Sequence, residues 1–167
     1  MTIRTGEGKG LARVIVASDR RARPDPGRVA ERARRRTIVR MADDAPRTWT
    51  VDDHLRDADP AHVELWHRVV ALVEACGPVT VLAHQTTVTF AGERRGFAGA
   101  RPTRHGVDGF LDLQRPLGPD RRIRRVSPYT KRLFVHQFRV TSADDLDDAF
   151  EGWVREAYAV GAGAHLR

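Results

Sequence analysis

Residues 133–154 read LFVHQFRVTSADDLDDAFEGWV, and a change of period inside this stretch decides the fold. In residues 133–140, Phe134, His136, Phe138 and Val140 fall on one side of an extended chain, which is the pattern of a strand with one buried face. Beyond Ser142 the spacing becomes helical, and Leu146, Phe150, Trp153, Val154 and Ala157 form a single apolar stripe. Ser142-Ala143-Asp144-Asp145 has the spacing of a capping box, with Asp in place of the usual Glu, and predicts a helix start. A half-buried strand followed by an amphipathic helix calls for a layer of helix on sheet.

Upstream, residues 79–83, 86–90, 97–101, 107–114 and 123–126 carry the same β-like text. Ala91-Gly92-Glu93 and Gly118-Pro119-Asp120 read as turns, and strands joined by short links pair antiparallel. Thr50-Val51-Asp52-Asp53 has capping-box spacing for a short helix to about Arg56. Asp59-Pro60 supplies an N-cap and a first-turn proline for a longer helix, with Val63, Trp66, Val69, Val70 and Val73 at helical spacing and Gly77-Pro78 as its stop. The expectation is an α+β fold: one antiparallel sheet of about five or six strands, flanked by an N-terminal helical pair and a C-terminal helix, with all helices on one face. The ordered domain is expected over residues 48–160, with a flexible tail at 161–167.

The net charge of +7 is unevenly placed. Residues 1–40 hold 12 Lys+Arg against 4 Asp+Glu, a net of +8, while residues 41–167 hold 17 against 18, a net of −1. Of the basic residues 27 are Arg, and only Lys9 and Lys131 are Lys, which reflects GC-rich codons as readily as phosphate binding. Residues 1–47 lack a sustained apolar period and read as an Arg-rich, disordered segment. Two readings stand side by side. The segment is a basic arm that attracts nucleic acid or an acidic surface, or Met41 is the true start; a peptide spanning Arg40 and Met41 in the native protein would decide for the arm. No apolar run is long enough to span a bilayer, so no membrane partner is expected. Cys76 is the single cysteine, which excludes a disulfide framework and suits a cytoplasmic setting.

No signature of a phosphate loop, zinc protease, nucleophile elbow or calcium loop is present, and neither cofactor nor metal is expected. His62 and His67, five apart on one helix, project to different sides. His136 lies on an apolar strand face, where a histidine is either a hydrogen-bonded core residue or a ligand or base; a Ser127–His136 nucleophile pair can be written, but nothing in the local text resembles a nucleophile elbow. Arg94-Arg95 and Arg121-Arg122 with Arg124-Arg125 either hold an anion together or protect a sheet edge. Asp144, Asp145, Asp147 and Asp148 either gather a cation or answer a helix dipole. Cys76, in the last turn of a helix, reads as an ordinary buried thiol.

Trp49-Thr50-Val51-Asp52-Asp53-His54-Leu55 followed by Ala75-Cys76-Gly77-Pro78-Val79 resembles the opening of the family called domain of unknown function 5655. Thr86 with Phe90, Phe97-Ala98, Ser127-Pro128-Tyr129, Val135-His136 and Asp144-Asp145-Leu146 to Trp153 and Ala157-Tyr158 follow in order, over roughly residues 48 to 160. The resemblance implies a small bacterial α+β domain without an established reaction. Some relatives carry Lys and Arg around the second strand where this chain reads Gln85-Thr86-Thr87-Val88, and the missing basic positions weaken any anion site that the resemblance would imply.

The leading functional expectation is a binding module that recognises a small ligand, peptide or protein partner through a sheet face or groove. Its expected lining is His54, His84, Phe97, Arg122, Tyr129 and His136, polar or amphipathic residues on or beside strands. The alternatives are a nucleic-acid-binding accessory domain and an enzyme with His136 as general base.

Overall fold

The computed structural model of the chain describes residues 47–166 and the backbone of residues 13–16. Asp53 and Thr50 cap each other: the Thr50 backbone N–H donates to the Asp53 carboxylate at 2.9 Å, and the Asp53 N–H donates back to Thr50 Oγ1 at 3.3 Å. This box opens helix α1 (Val51–Leu55). Asp59 accepts from the Ala61 N–H at 2.8 Å and opens α2 (Pro60–Ala75), with Pro60 where its missing N–H costs nothing. Gly77, at φ +142°, ends it; a Cβ there would stand 2.4 Å from the Tyr158 hydroxyl.

Six strands then form one antiparallel sheet: β2 (Thr80–Ala83), β3 (Val88–Ala91), β4 (Gly96–Thr103), β5 (Gly106–Leu113), β6 (Ile123–Thr130) and β7 (Leu133–Val140). Spatial order is β2-β3-β4-β5-β7-β6, so the chain leaves β5, passes the place of β7 and returns to it through a hairpin. At the other edge β1 (Arg13–Val16) lies parallel to β2, a four-residue piece of the segment that sequence reading set outside the fold. Residues 1–12 and 17–46, Met41 included, lie outside the described residues.

Both long helices pack on the same face, against β4 and β5, and against each other. That face carries Val81, Val88, Phe90, Ala100, Val107, Leu111, Phe138 and Val140. Trp66 of α2 anchors the layer, its indole N–H donating to the Ala100 carbonyl at 3.0 Å. Leu65 is buried beside it, whereas Val63 and Val70 are only half-buried. A bulge at Phe97 adds one residue to β4 opposite β3 and brings that ring under α3.

The C-terminal helix begins later than expected. The Ser142–Asp145 box is present, but it closes a 3-10 turn (Ala143–Asp145). Helix α3 (Asp148–Gly161) starts from a second cap, Asp147, which accepts the Phe150 N–H at 2.9 Å. Either residue satisfies the local rule, and tertiary contacts choose the later one. Beyond α3 a further 3-10 turn (Ala164–Leu166) occupies the stretch read as a tail.

Candidate functional site

With both long helices on one face, no long helix among the described residues packs on the other, and strand alternation decides what that open side shows. Opposite Val107, Leu111 and Val140, the open side presents Asp108, Phe110 and Asp112 on β5, with Arg139, Gln137 and Val135 across on β7. Register puts Arg101 of β4 against Asp108 on its other side. One row therefore runs Arg101, Asp108, Arg139. The Arg139 guanidinium grips Asp108 through two bonds of 2.6 and 2.8 Å. Arg101 and Arg124 have no ion pair among the described residues.

The next row is Gly99, Phe110, Gln137, Arg125. The Phe110 ring leans over Gly99, where a Cβ would stand 2.4 Å from Cε1. A depression of about 350 Å3 lies here, lined by Thr87, Arg101, Phe110, Arg124, Gln137 and Arg139 among others. Its chemistry is a polarised floor with an aromatic ring and two cations whose donors have no internal carboxylate.

Farther along the same face, Arg95 donates to Asp112 at 2.6 Å and its guanidinium carbon stands 5.3 Å from the Tyr129 ring centroid. Asp112 is buried and its second oxygen has no hydrogen-bond partner among the described residues. Burial pushes its carboxyl up from the ordinary aspartate value, against the pull of Arg95.

The six residues expected to line a site do not converge. His54 and His84 meet, with the His54 Nε2 2.7 Å from the His84 carbonyl, and the His84 N–H donates to Thr87 at the rim of the depression. Phe97 is core, packed edge-on to Tyr158. Tyr129 is exposed at the far end of β6. His136 is fully buried; its Nε2 accepts the Leu117 N–H at 3.0 Å, and Nδ1 faces the Phe134 carbonyl at 3.1 Å. No ring atom is left to meet a substrate. Ser127 pairs with Val135 while Val126 pairs with His136, so Ser127 and His136 point to opposite faces.

Arg122 is buried too. Its guanidinium forks onto Asp120 at 2.9 and 3.0 Å, reaches Asp147 at 2.6 Å and the Asp145 carbonyl at 2.8 Å, and lies 4.5 Å from the Trp153 centroid. Arg121 pairs with Asp145 at 2.7 Å. Arg95, Arg121 and Arg122 are thus tied to carboxylates, the two arginine groups lie at opposite ends of β6 rather than joined, and Arg124 alone of them lines the depression. Asp145 and Asp147 of the acidic quartet are partners of these arginines, and among the described residues no three His, Cys, Asp or Glu side chains are set to hold a metal ion. Cys76 donates to the Leu72 carbonyl and burial pushes its thiol up.

Arg101, Asp108, Phe110 and Arg139 are absent from the expected lining, although the alternation that buries Val107 and Leu111 turns Asp108 and Phe110 outward. That signal lies in the polar positions of the strands, not the apolar ones. A family model described as domain of unknown function (DUF5655) matches residues 51–161, from the first residue of α1 to the last of α3. No curated protein and no solved structure matches the chain. No helix among the described residues is long and apolar enough to cross a membrane.

Proposed function

This chain belongs to the DUF5655 family, and from the geometry of its open sheet face we propose that it is a binding module for a small anionic ligand. The observation that carries the reading is the pair Arg101 and Arg124, both at one depression and both without an ion pair among the described residues. Within the 121–125 run, buried Arg122 and exposed Arg121 each have carboxylate partners, whereas Arg124 and Arg125 stay exposed, and of these two Arg124 lines the depression. A guanidinium with free donors beside an aromatic ring suits a carboxylate or phosphate group. Antiparallel sheets tolerate one solvated face, so the uncovered side carries no penalty that would demand a protein cover.

The test is thermal denaturation of the full chain in phosphate, pyrophosphate and short carboxylates, at constant ionic strength against chloride. A ligand at one hundred times its Kd stabilises by about 2.7 kcal/mol. The wild type is expected to gain this and the Arg101→Ala/Arg124→Ala variant to lose it while keeping its melting temperature in chloride. No shift with any anion, or the same shift in both proteins, refutes the reading.

A further inference from the structure

Two aromatic rings lean on glycines back to back through this sheet. On the inner face Phe138 crosses Gly109, where a Cβ would meet Cζ at 2.5 Å, and Phe150 of α3 covers that ring edge-on with centroids 5.1 Å apart. On the outer face Phe110 crosses Gly99 in the same manner, but it has no aromatic partner among the described residues and borders the depression instead. Gly99 without a side chain is what lets the ring lie down on the sheet. Around Phe110 stand Arg101, Arg124 and the exposed amide of Gln137, directly across on β7. Cross-strand neighbours are close enough for an amide to reach the edge of a ring stacked on Phe110.

We propose that Phe110 is a stacking platform and that the ligand is a nucleoside phosphate: its base rests on the Phe110 ring, Gln137 meets the base edge, and Arg101 and Arg124 hold the phosphate. This rests on the reading of the open face as an anion surface and adds the ring to it. Charge complementarity selects the phosphate, and the uncovered ring selects the base. The same chemistry is offered by a free nucleotide and by single-stranded nucleic acid.

The experiment is calorimetric titration of the full chain with pyrophosphate, adenosine monophosphate and a six-nucleotide single strand, at low and moderate salt. Adenosine monophosphate is expected to bind about tenfold or more tighter than pyrophosphate, since stacking is worth about that much. Phe110→Leu brings nucleotide affinity down toward that of pyrophosphate, whereas Arg101→Ala weakens both. Gln137→Ala, at an exposed position, weakens the nucleotide alone and serves should Phe110→Leu not fold. A single strand that binds tighter than the mononucleotide, with affinity falling steeply as salt rises, assigns the source to nucleic acid; equal affinity assigns it to the free nucleotide. Equal binding of pyrophosphate and nucleotide overturns the platform but leaves the anion surface standing. Absence of all anion binding overturns both.

Discussion

Leu117 donates its backbone N–H to Nε2 of His136 over 3.0 Å, which makes that nitrogen the acceptor and leaves the proton on Nδ1, facing the Phe134 carbonyl. The loop that carries the chain from β5 to the sheet edge is therefore pinned to the middle of β7 by a neutral imidazole. A protonated ring has no acceptor for Leu117.

A pH dependence follows from this bond. Burial pushes the His136 imidazole below its ordinary range, although its hydrogen bond to Phe134 pulls the other way. Above an unfolded pKa of about 6.5 the ring is neutral in both states, and its contribution is fully present. As pH falls below that value the unfolded chain takes up the proton first, so stability declines until the folded ring titrates at its lower pKa. Urea denaturation of the wild type and His136→Gln at steps from pH 7.5 to 5 checks it. The wild-type advantage is expected to shrink on acidification; a constant or growing advantage would sink the assignment.

Arg122 carries a second prediction. It is 6% exposed and joins Asp120, Asp147 and the Asp145 carbonyl under the Trp153 ring, so it ties the start of β6 to the start of α3. Asp147 has two duties, capping α3 and pairing with Arg122. Removing the cation leaves Asp120 and half-exposed Asp147 unpaired and is expected to cost about 1–2 kcal/mol, less than for a fully buried pair because both carboxylates reach solvent. Arg122→Lys keeps the charge but not the fork, and is expected to lose more than half as much. Denaturant midpoints at unchanged slope measure both. An Arg122→Ala protein as stable as the wild type would refute the tie.

The glycines allow a comparison with opposite signs. A Cβ at Gly109 would stand 2.2 Å from the Gly99 carbonyl oxygen, a backbone atom that cannot step aside. Gly109→Ala is expected to cost about 3 kcal/mol or more, since overpacking forces the strands apart. Gly152, inside α3, has nothing within 4 Å of its would-be Cβ. There Gly152→Ala is expected to stabilise by about 0.5–1 kcal/mol through helix propensity. Melting temperatures of the two variants should move apart from the wild type, and a shared direction would contradict the packing described.

Strand β7 was legible to the residue because buried His136, Phe138 and Val140 alternate with the less buried Gln137 and Arg139, although Leu133 and Phe134 break the alternation at its start. The caps of α1 and α2 were legible because their rules are local. The start of α3 was not, since Ser142 and Asp147 both satisfy those rules and only the Arg122 network separates them. The edge position of β6 left no local mark either: hairpin logic joins neighbours, and here the chain skips one. Burial of Arg122 depends on Asp147, 25 residues away, which no spacing announces. The open face was readable from the same alternation, at Asp108 and Phe110, once polar positions are given the weight of apolar ones.

Asp112 and Arg95 supply the last prediction, an asymmetry. Asp112 is 4% exposed with one oxygen on Arg95 and the other unpaired among the described residues, and burial raises its carboxyl despite the nearby cation. A raised folded pKa means that the folded state favours the protonated form. The stability linked to that proton is fully present below the unfolded pKa of about 3.9 and is lost as pH rises through the higher folded value. Asp112→Asn removes this loss, so the variant gains on the wild type between pH 4 and 7. Arg95→Ala instead leaves a buried carboxylate with neither oxygen paired and is expected to cost about 2 kcal/mol at pH 7, discounted for the partial exposure of Arg95. The cost shrinks toward pH 4, where the proton replaces the arginine. Denaturation of the three proteins at pH 4 and 7 decides it: if Asp112→Asn is the more damaging variant at pH 7, the pair is held by attraction that outweighs burial, and the asymmetry is wrong.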